Sequence, residues 1–348
     1  PELYDEADQR GVLVWQDLPL RWGYALSVRS QARRHAREIV DQLGHHASVA
    51  IWCGHDDPAA LDVGPDTLAS PRGRRRLVAR HVLSQVFPTW NRTVLDNSIA
   101  SELERSDGSR PVVAHSGVWP HAPQLDGTDS HLFLGWYTGF PDDLQRLARL
   151  WPRVARFVSA FGAQAVPDDA DFLEPHRWPD LDWDRAWRDH GLQKTFFDRT
   201  AAPADFATFD EWRAATQTYQ ADLLRAQIET LRRLRYRPTG GFAQFLLADA
   251  HPAVSWSLLD HRRQPKPAWA AVQAACAPTI VTVDALPAHL HGGEVLALDV
   301  HVVSDARIAP GDMVVRAYLL WKEGADAQRR AWGWTGAVDA DSCTYIAT

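Results

Sequence analysis

Apolar residues fall along the chain in two rhythms. Short runs bounded by turn residues read as strands: Gly11–Gln16, Ser48–Cys53, Pro111–Ala114, His131–Gly135, Phe157–Ser159 and Gly241–Leu247. Between them lie stretches with apolar residues three and four apart, which predict helices over Ser27–Leu43, Arg75–Val86, Asp142–Leu150 and Phe209–Leu234. The last is the clearest, with Leu223, Leu224, Ile228, Leu231 and Leu234 on one face. A further helix followed by the first strand is expected in PELYDEADQRGVLVWQD, from Pro1. Strands alternating with helices predict βα units around a parallel sheet, because the connections are long enough for parallel crossovers.

Around Pro278 the rhythm changes. Alternating runs at Thr279–Val283, Glu294–Val303 and Met313–Trp321 are separated by turn material such as Leu290-His291-Gly292-Gly293 and Ala309-Pro310-Gly311-Asp312, which predicts an antiparallel sandwich. Two domains are therefore expected, residues 1–278 and 279–348. The chain opens without an initiator Met and closes on the strand-like CTYIAT, so a fragment of a longer polypeptide is expected.

Composition narrows the function classes. At 348 residues the chain exceeds the usual size of one hydrophobic core. No apolar run approaches the roughly 20 residues of a spanning helix, so no membrane partner is expected. A formal charge of −7 argues against a phosphate-neutralising surface and hence against nucleic acid. Cys53, Cys276 and Cys343 are too few and too scattered for a disulfide framework or a thiolate zinc site, so neither metal nor cofactor is expected and a cytoplasmic location is the default. Lysine occurs only at Lys194, Lys266 and Lys322, leaving 34 arginines, an excess that reads as codon bias. The 16 tryptophans suit either an aromatic core or flat platforms for sugars.

The most informative stretch runs from Arg37 to Pro58: an amphipathic helix, paired histidines, an apolar strand, then Gly54-His55-Asp56-Asp57 at the strand's C-terminal end. In a parallel barrel the catalytic groups sit at that end. The same residues also suit a plain strand-to-helix turn in which Asp56 or Asp57 caps the next element.

GVLVWQD, HHASVAIWCGHDDP, RFVSAFGAQAVP and RPTGGFAQFLLADAHPAVSWSLLDHRRQPKPAW, in that order, resemble the catalytic barrel of glycoside hydrolase family 2, and within it the β-mannosidase and exo-β-glucosaminidase members. The resemblance covers Pro1 to about Pro278. It implies strands three to eight of a (β/α)8 TIM barrel, incomplete at its N-terminus, followed by a partial immunoglobulin-like β-sandwich, with further N-terminal domains in the whole polypeptide. It implies a carbohydrate substrate or ligand and retaining hydrolysis by two glutamates about 5 to 5.5 Å apart. The family's acid/base ends the fourth strand in a motif like CGNNE; here Asp57 stands in the glutamate's place and Asp56 in that of the preceding asparagine, which bonds the sugar 2-hydroxyl, so the resemblance assigns substrate contacts to Asp56 and to His55 before it. The nucleophile belongs to a motif like SEFG, which here reads Ser159-Ala160-Phe161-Gly162, so Ala160 puts a methyl group in the nucleophile's place. The resemblance further assigns substrate contacts to Trp15 and Asp17 on the third strand, His131 and Trp136 at the sixth, and Phe245 and Asp249 at the eighth. The expectation is a β-mannosidase-like glycosidase with activity weakened or lost, a carbohydrate-binding pseudoenzyme and a purely structural module being the alternatives.

Overall fold

The computed structural model describes residues 2–58, 89–119, 128–284, 293–323 and 326–348, with His291 and single positions between 72 and 83. These fall into two compact units, Pro1–Leu132 with Phe157–Ala160, and Phe133–Arg156 with Phe161–Thr348.

In the first unit α1 (Glu2–Arg10) ends at Gly11, whose φ of 65° suits glycine, and the Val12 amide bonds back to the Ala7 carbonyl. This closure delays β1 to Val14–Asp17, three residues later than the apolar run suggests, and leaves Val12 and Leu13 exposed. Parallel β1, β2 (Val49–Cys53) and β3 (Val112–Val113) follow in the order β1-β2-β3. Helix α2 (Arg29–Leu43) turns Ala32, Ala36 and Val40 inward. It packs on α3 (Asp96–Ser106), which buries Ile99 and Leu103 and enters through a wide-turn segment, Asn91–Leu95. Trp52 is the largest side chain of this core, and its indole donates to Asp107 at 2.8 Å. A second parallel pair, β4 (Ser130–His131) and β5 (Phe157–Ala160), sets His131 in register with Ala160. The helix expected over Arg75–Val86 lies, apart from single positions, outside the described residues.

The second unit is organised on α7 (Phe209–Arg233), after α4 (Asp143–Leu150), α5 (Trp183–His190) and α6 (Lys194–Thr200). Thr208 and Glu211 form a reciprocal capping box at its start. Its inward face carries Leu223, Leu224, Ile228 and Leu231, interleaved with Gln220 and Gln227, whose amides donate to the carbonyls of Ala163 and Leu134. The expected strand Gly241–Leu247 shortens to β6 (Gly241–Phe242), since the residues beyond make single hydrogen bonds to irregular backbone, Leu246 N to Trp256 O among them.

After α8 (Pro267–Ala275) every described element is a strand. Antiparallel β7 (Thr279–Val283), β8 (Val300–Ser304) and β11 (Ser342–Ala347) form one sheet, and β9 (Gly311–Glu323) with β10 (Asp326–Val338) form the other. Val302 and Ile346 meet Val315 and Val338 between them. The sandwich is tied to α7 by Arg232, which is buried and donates to the carbonyls of Ala275 and Ala277 and to Asp305. The architecture is thus mixed α/β followed by an antiparallel sandwich; a closed eight-stranded barrel is not formed by the described strands.

Candidate active site

Past the ends of β1, β2 and β3 the parallel ladder continues by single bonds. The Asp56 amide donates to the Leu20 carbonyl at 2.8 Å, Trp22 returns a bond to the Asp56 carbonyl, and the Ser116 amide bonds the His55 carbonyl at 2.9 Å. Three chain segments are thereby held side by side at the C-terminal strand ends. Gly54 permits the approach: a Cβ there would lie 2.7 Å from the Ala114 carbonyl oxygen and 3.0 Å from Ile99. Asp57 turns sharply with φ of 48°.

On this frame the carboxylates converge on one imidazole. Asp57 Oδ2 lies 3.7 Å from His131 Nδ1, and Asp56 Oδ1 lies 3.9 Å from Nε2 on the ring's other side. Asp129, buried beneath, has Oδ2 at 3.7 Å from the same nitrogen. It is itself anchored by Ser116 Oγ at 2.6 Å, the Gly117 amide at 3.1 Å and the Ser159 hydroxyl. Gly117 has φ of 74° and faces the ring so closely that a Cβ would come within 2.6 Å of it. Arg21 reaches Asp56 Oδ2 at 3.5 Å.

Burial works on these groups in opposite senses. It favours the neutral imidazole, yet the Asp57, Asp129 and Asp56 carboxylates outweigh it and raise the His131 pKa. Burial also raises Asp56, against the lowering pull of His131 and Arg21. Asp57 Oδ1 is enclosed and meets no hydrogen-bond partner among the described residues. Ala160 closes the floor, 6% exposed, its carbonyl accepting from the Leu132 amide at 2.8 Å.

The sequence-predicted residues separate into two groups. Asp56, Asp57, His131 and Ala160 come together, with Trp15 and Asp17 on β1, where the Trp15 indole donates to Asp17 Oδ1 at 3.0 Å and stacks on Phe157. His55 does not face the strand-end opening, contrary to expectation. It is fully buried, Nδ1 at 2.7 Å from Asp96 and Nε2 donating to the Trp22 carbonyl, so both ring nitrogens are spent on holding the turn. His115 stands on the other side of Asp96 at 3.1 Å. In the second unit Trp136 is a core residue rather than a platform: it is fully buried, packs on Phe196 and Phe197, and donates to Gln193. Asp249 is likewise inward, buried and accepting from Ser255 and Ser257 at 2.5 and 2.6 Å, which fixes a loop. Phe245 is half-buried in an aromatic group with Phe133 and Trp256. The sequence reading missed Ser116 and Gly117; the polar His-Ser-Gly that ends the β3 run is the signal that marks them.

The fold and the order of its strand-end motifs define a β-mannosidase-like chain, similar to glycoside hydrolase family 2. It is 27% identical over 317 residues to β-mannosidase B of Thermothelomyces thermophilus, covering 83% of this chain and 35% of that protein. β-Mannosidase B of Aspergillus clavatus is 24% identical over 308 residues, 80% of this chain and 34% of the relative. The chain thus spans about a third of the length of these relatives. Of solved structures, the β-D-mannosidase of Dictyoglomus thermophilum superposes with a TM-score of 0.65 at 18% identity, covering 98% of this chain and 40% of that one. The exo-chitosanase of Amycolatopsis orientalis gives 0.63 at 15%, covering 100% and 39%. No protein-family model matches.

Proposed function

We propose that the complete protein handles β-linked sugars of the mannoside type at this strand-end site, and that its capacity for retaining hydrolysis is weak or lost. One observation supports the reading: Asp56 and Asp57 bracket His131 beside Ala160, the positions to which the family resemblance assigns the catalytic machinery. In retaining hydrolysis a carboxylate forms a bond to the anomeric carbon as the glycosidic C–O bond breaks, while an acid protonates the leaving oxygen. Asp57 keeps the acid, one methylene shorter than glutamate, a displacement of the order that costs about 100-fold in rate. The methyl group of Ala160 forms no glycosyl-enzyme. The partly exposed carboxylates of Asp56 and Asp57, with the His131 imidazole between them, suit the recognition of sugar hydroxyls, which favours a binding role.

The test uses the whole polypeptide with an aryl β-mannoside. The expected result is hydrolysis at the solvent background, together with saturable binding by calorimetry that Asp57→Ala weakens. Turnover well above background that disappears in Asp57→Ala would overturn the reading.

A further inference from the structure

The arginines, whose excess composition alone reduces to codon usage, include one cluster on two neighbouring helices. Arg29, Arg33 and Arg37 recur every fourth residue along one edge of α2, and Arg105 faces them from α3. Three of the four meet on one carboxylate: Glu102, 3% exposed, lies at 2.6 Å from Arg33, 3.3 Å from Arg37 and 2.9 Å from Arg105. Arg29 meets no carboxylate among the described residues; its Nε donates to Ser98 Oγ at 2.7 Å. Neutralising Glu102 takes one guanidinium. The three that meet on it, with Arg29 beside Ser98, leave an excess of positive charge at this edge of a chain whose formal charge is −7.

The outer part of this cluster lines a groove of about 400 Å³ between α2 and α3, walled by Arg29, Arg33 and Arg105 with Asn97, Ser98 and Ser101. Each guanidinium keeps N–H groups beyond those given to Glu102 or Ser98, since a guanidinium has five. A planar fork of such donors matches the oxygens of a doubly charged oxyanion. A volume of about 400 Å³ falls in the range of small-ligand clefts.

We infer that the α2–α3 groove is an oxyanion site, separate from the strand-end carboxylates, that takes a phosphate or sulfate group, free or carried on a monosaccharide. Glu102 fixes the arginine forks from below, and Arg29 and Arg105 supply the outward donors.

Calorimetry on the complete chain at constant ionic strength tests this, with inorganic sulfate, inorganic phosphate, glucose 6-sulfate and glucose 6-phosphate as probes and chloride as the control. Saturable one-site binding of the divalent anions is expected, and none of chloride. Arg29→Gln, which breaks only the bond to Ser98, weakens binding about tenfold, the loss of one charge-assisted hydrogen bond. Arg188→Gln, an exposed arginine on α5 outside the groove, leaves it unchanged. Tighter binding of the sugar esters than of the inorganic ions identifies a sugar-borne group, and equal binding a free ion. Heats equal to those of chloride, or affinity untouched by both Arg29→Gln and Arg105→Gln, would overturn the inference.

Discussion

His131 shows most plainly how single residues set the chemistry here. Its ring is surrounded by carboxylates from β2's extension and from the turn before β4, and their combined pull overcomes the cost of burying an imidazolium. A histidine whose folded pKa lies above its unfolded value of about 6.5 binds more protons folded than unfolded. Its stabilising contribution is then full below pH of about 6.5 and is lost as pH rises through the folded pKa. Denaturant unfolding followed across this range is expected to show stability falling with rising pH, and His131→Asn is expected to flatten that slope. A slope unchanged in the variant would mean that the carboxylates do not act on the ring as their distances imply. At the same scale, His55 was readable as a residue of interest but not in its direction, because a strand-end position can point to the opening or back into the core. The Trp22 carbonyl and Asp96 decide that, and both lie far from it in sequence.

The elements were legible where local pattern and tertiary demand agree. Ser48–Cys53, Phe157–Ser159 and the long α7 fall within a residue or two of their predicted bounds, since each is a short apolar run or a sustained helical stripe. Elements that depend on non-local support were not. β6 stops at Phe242, and α3 is preceded by the wide turns of Asn91–Leu95, which blur its 3.6-residue spacing. The grouping of Asp56, Asp57, Ala160 and His131 follows strand ends that the sequence marks, whereas Ser116 and Gly117 were illegible, since their part comes from lying across the ladder from His55 and under the ring of His131. Gly117 makes that dependence testable. Gly117→Ala combines a positive φ with a Cβ 2.6 Å from the imidazole, so a destabilisation of about 1 to 3 kcal/mol is expected, with His131 displaced. A variant as stable as the parent, with unchanged His131 ring resonances, would show that the ring has room to move.

Across the whole molecule, the sandwich is joined to α7 by a few buried contacts rather than by a broad apolar face. Arg232 gathers carbonyls from the end of α8 and the carboxylate of Asp305, while Arg233 holds Asp284 at 2.6 Å and Arg235 holds Asp341 at 2.5 Å. Removing Arg232 leaves enclosed carbonyls without their donor, so Arg232→Ala is expected to cost about 3 kcal/mol and to split one thermal transition into two. A single transition at the parental temperature would show that the strands from Thr279 onward are held by other contacts.

The same scale carries the proposed function, in which the strand-end site keeps its sugar contacts without a nucleophile. Ala160→Glu, made in the complete polypeptide and assayed on an activated aryl β-mannoside, restores the carboxylate that forms the glycosyl-enzyme. Partial hydrolysis is expected with good leaving groups, which need little acid assistance, and little with poor ones until Asp57→Glu is added. Folded single and double variants that are equally inactive on both substrates would contradict the placing of the nucleophile at residue 160 and of the acid at Asp57.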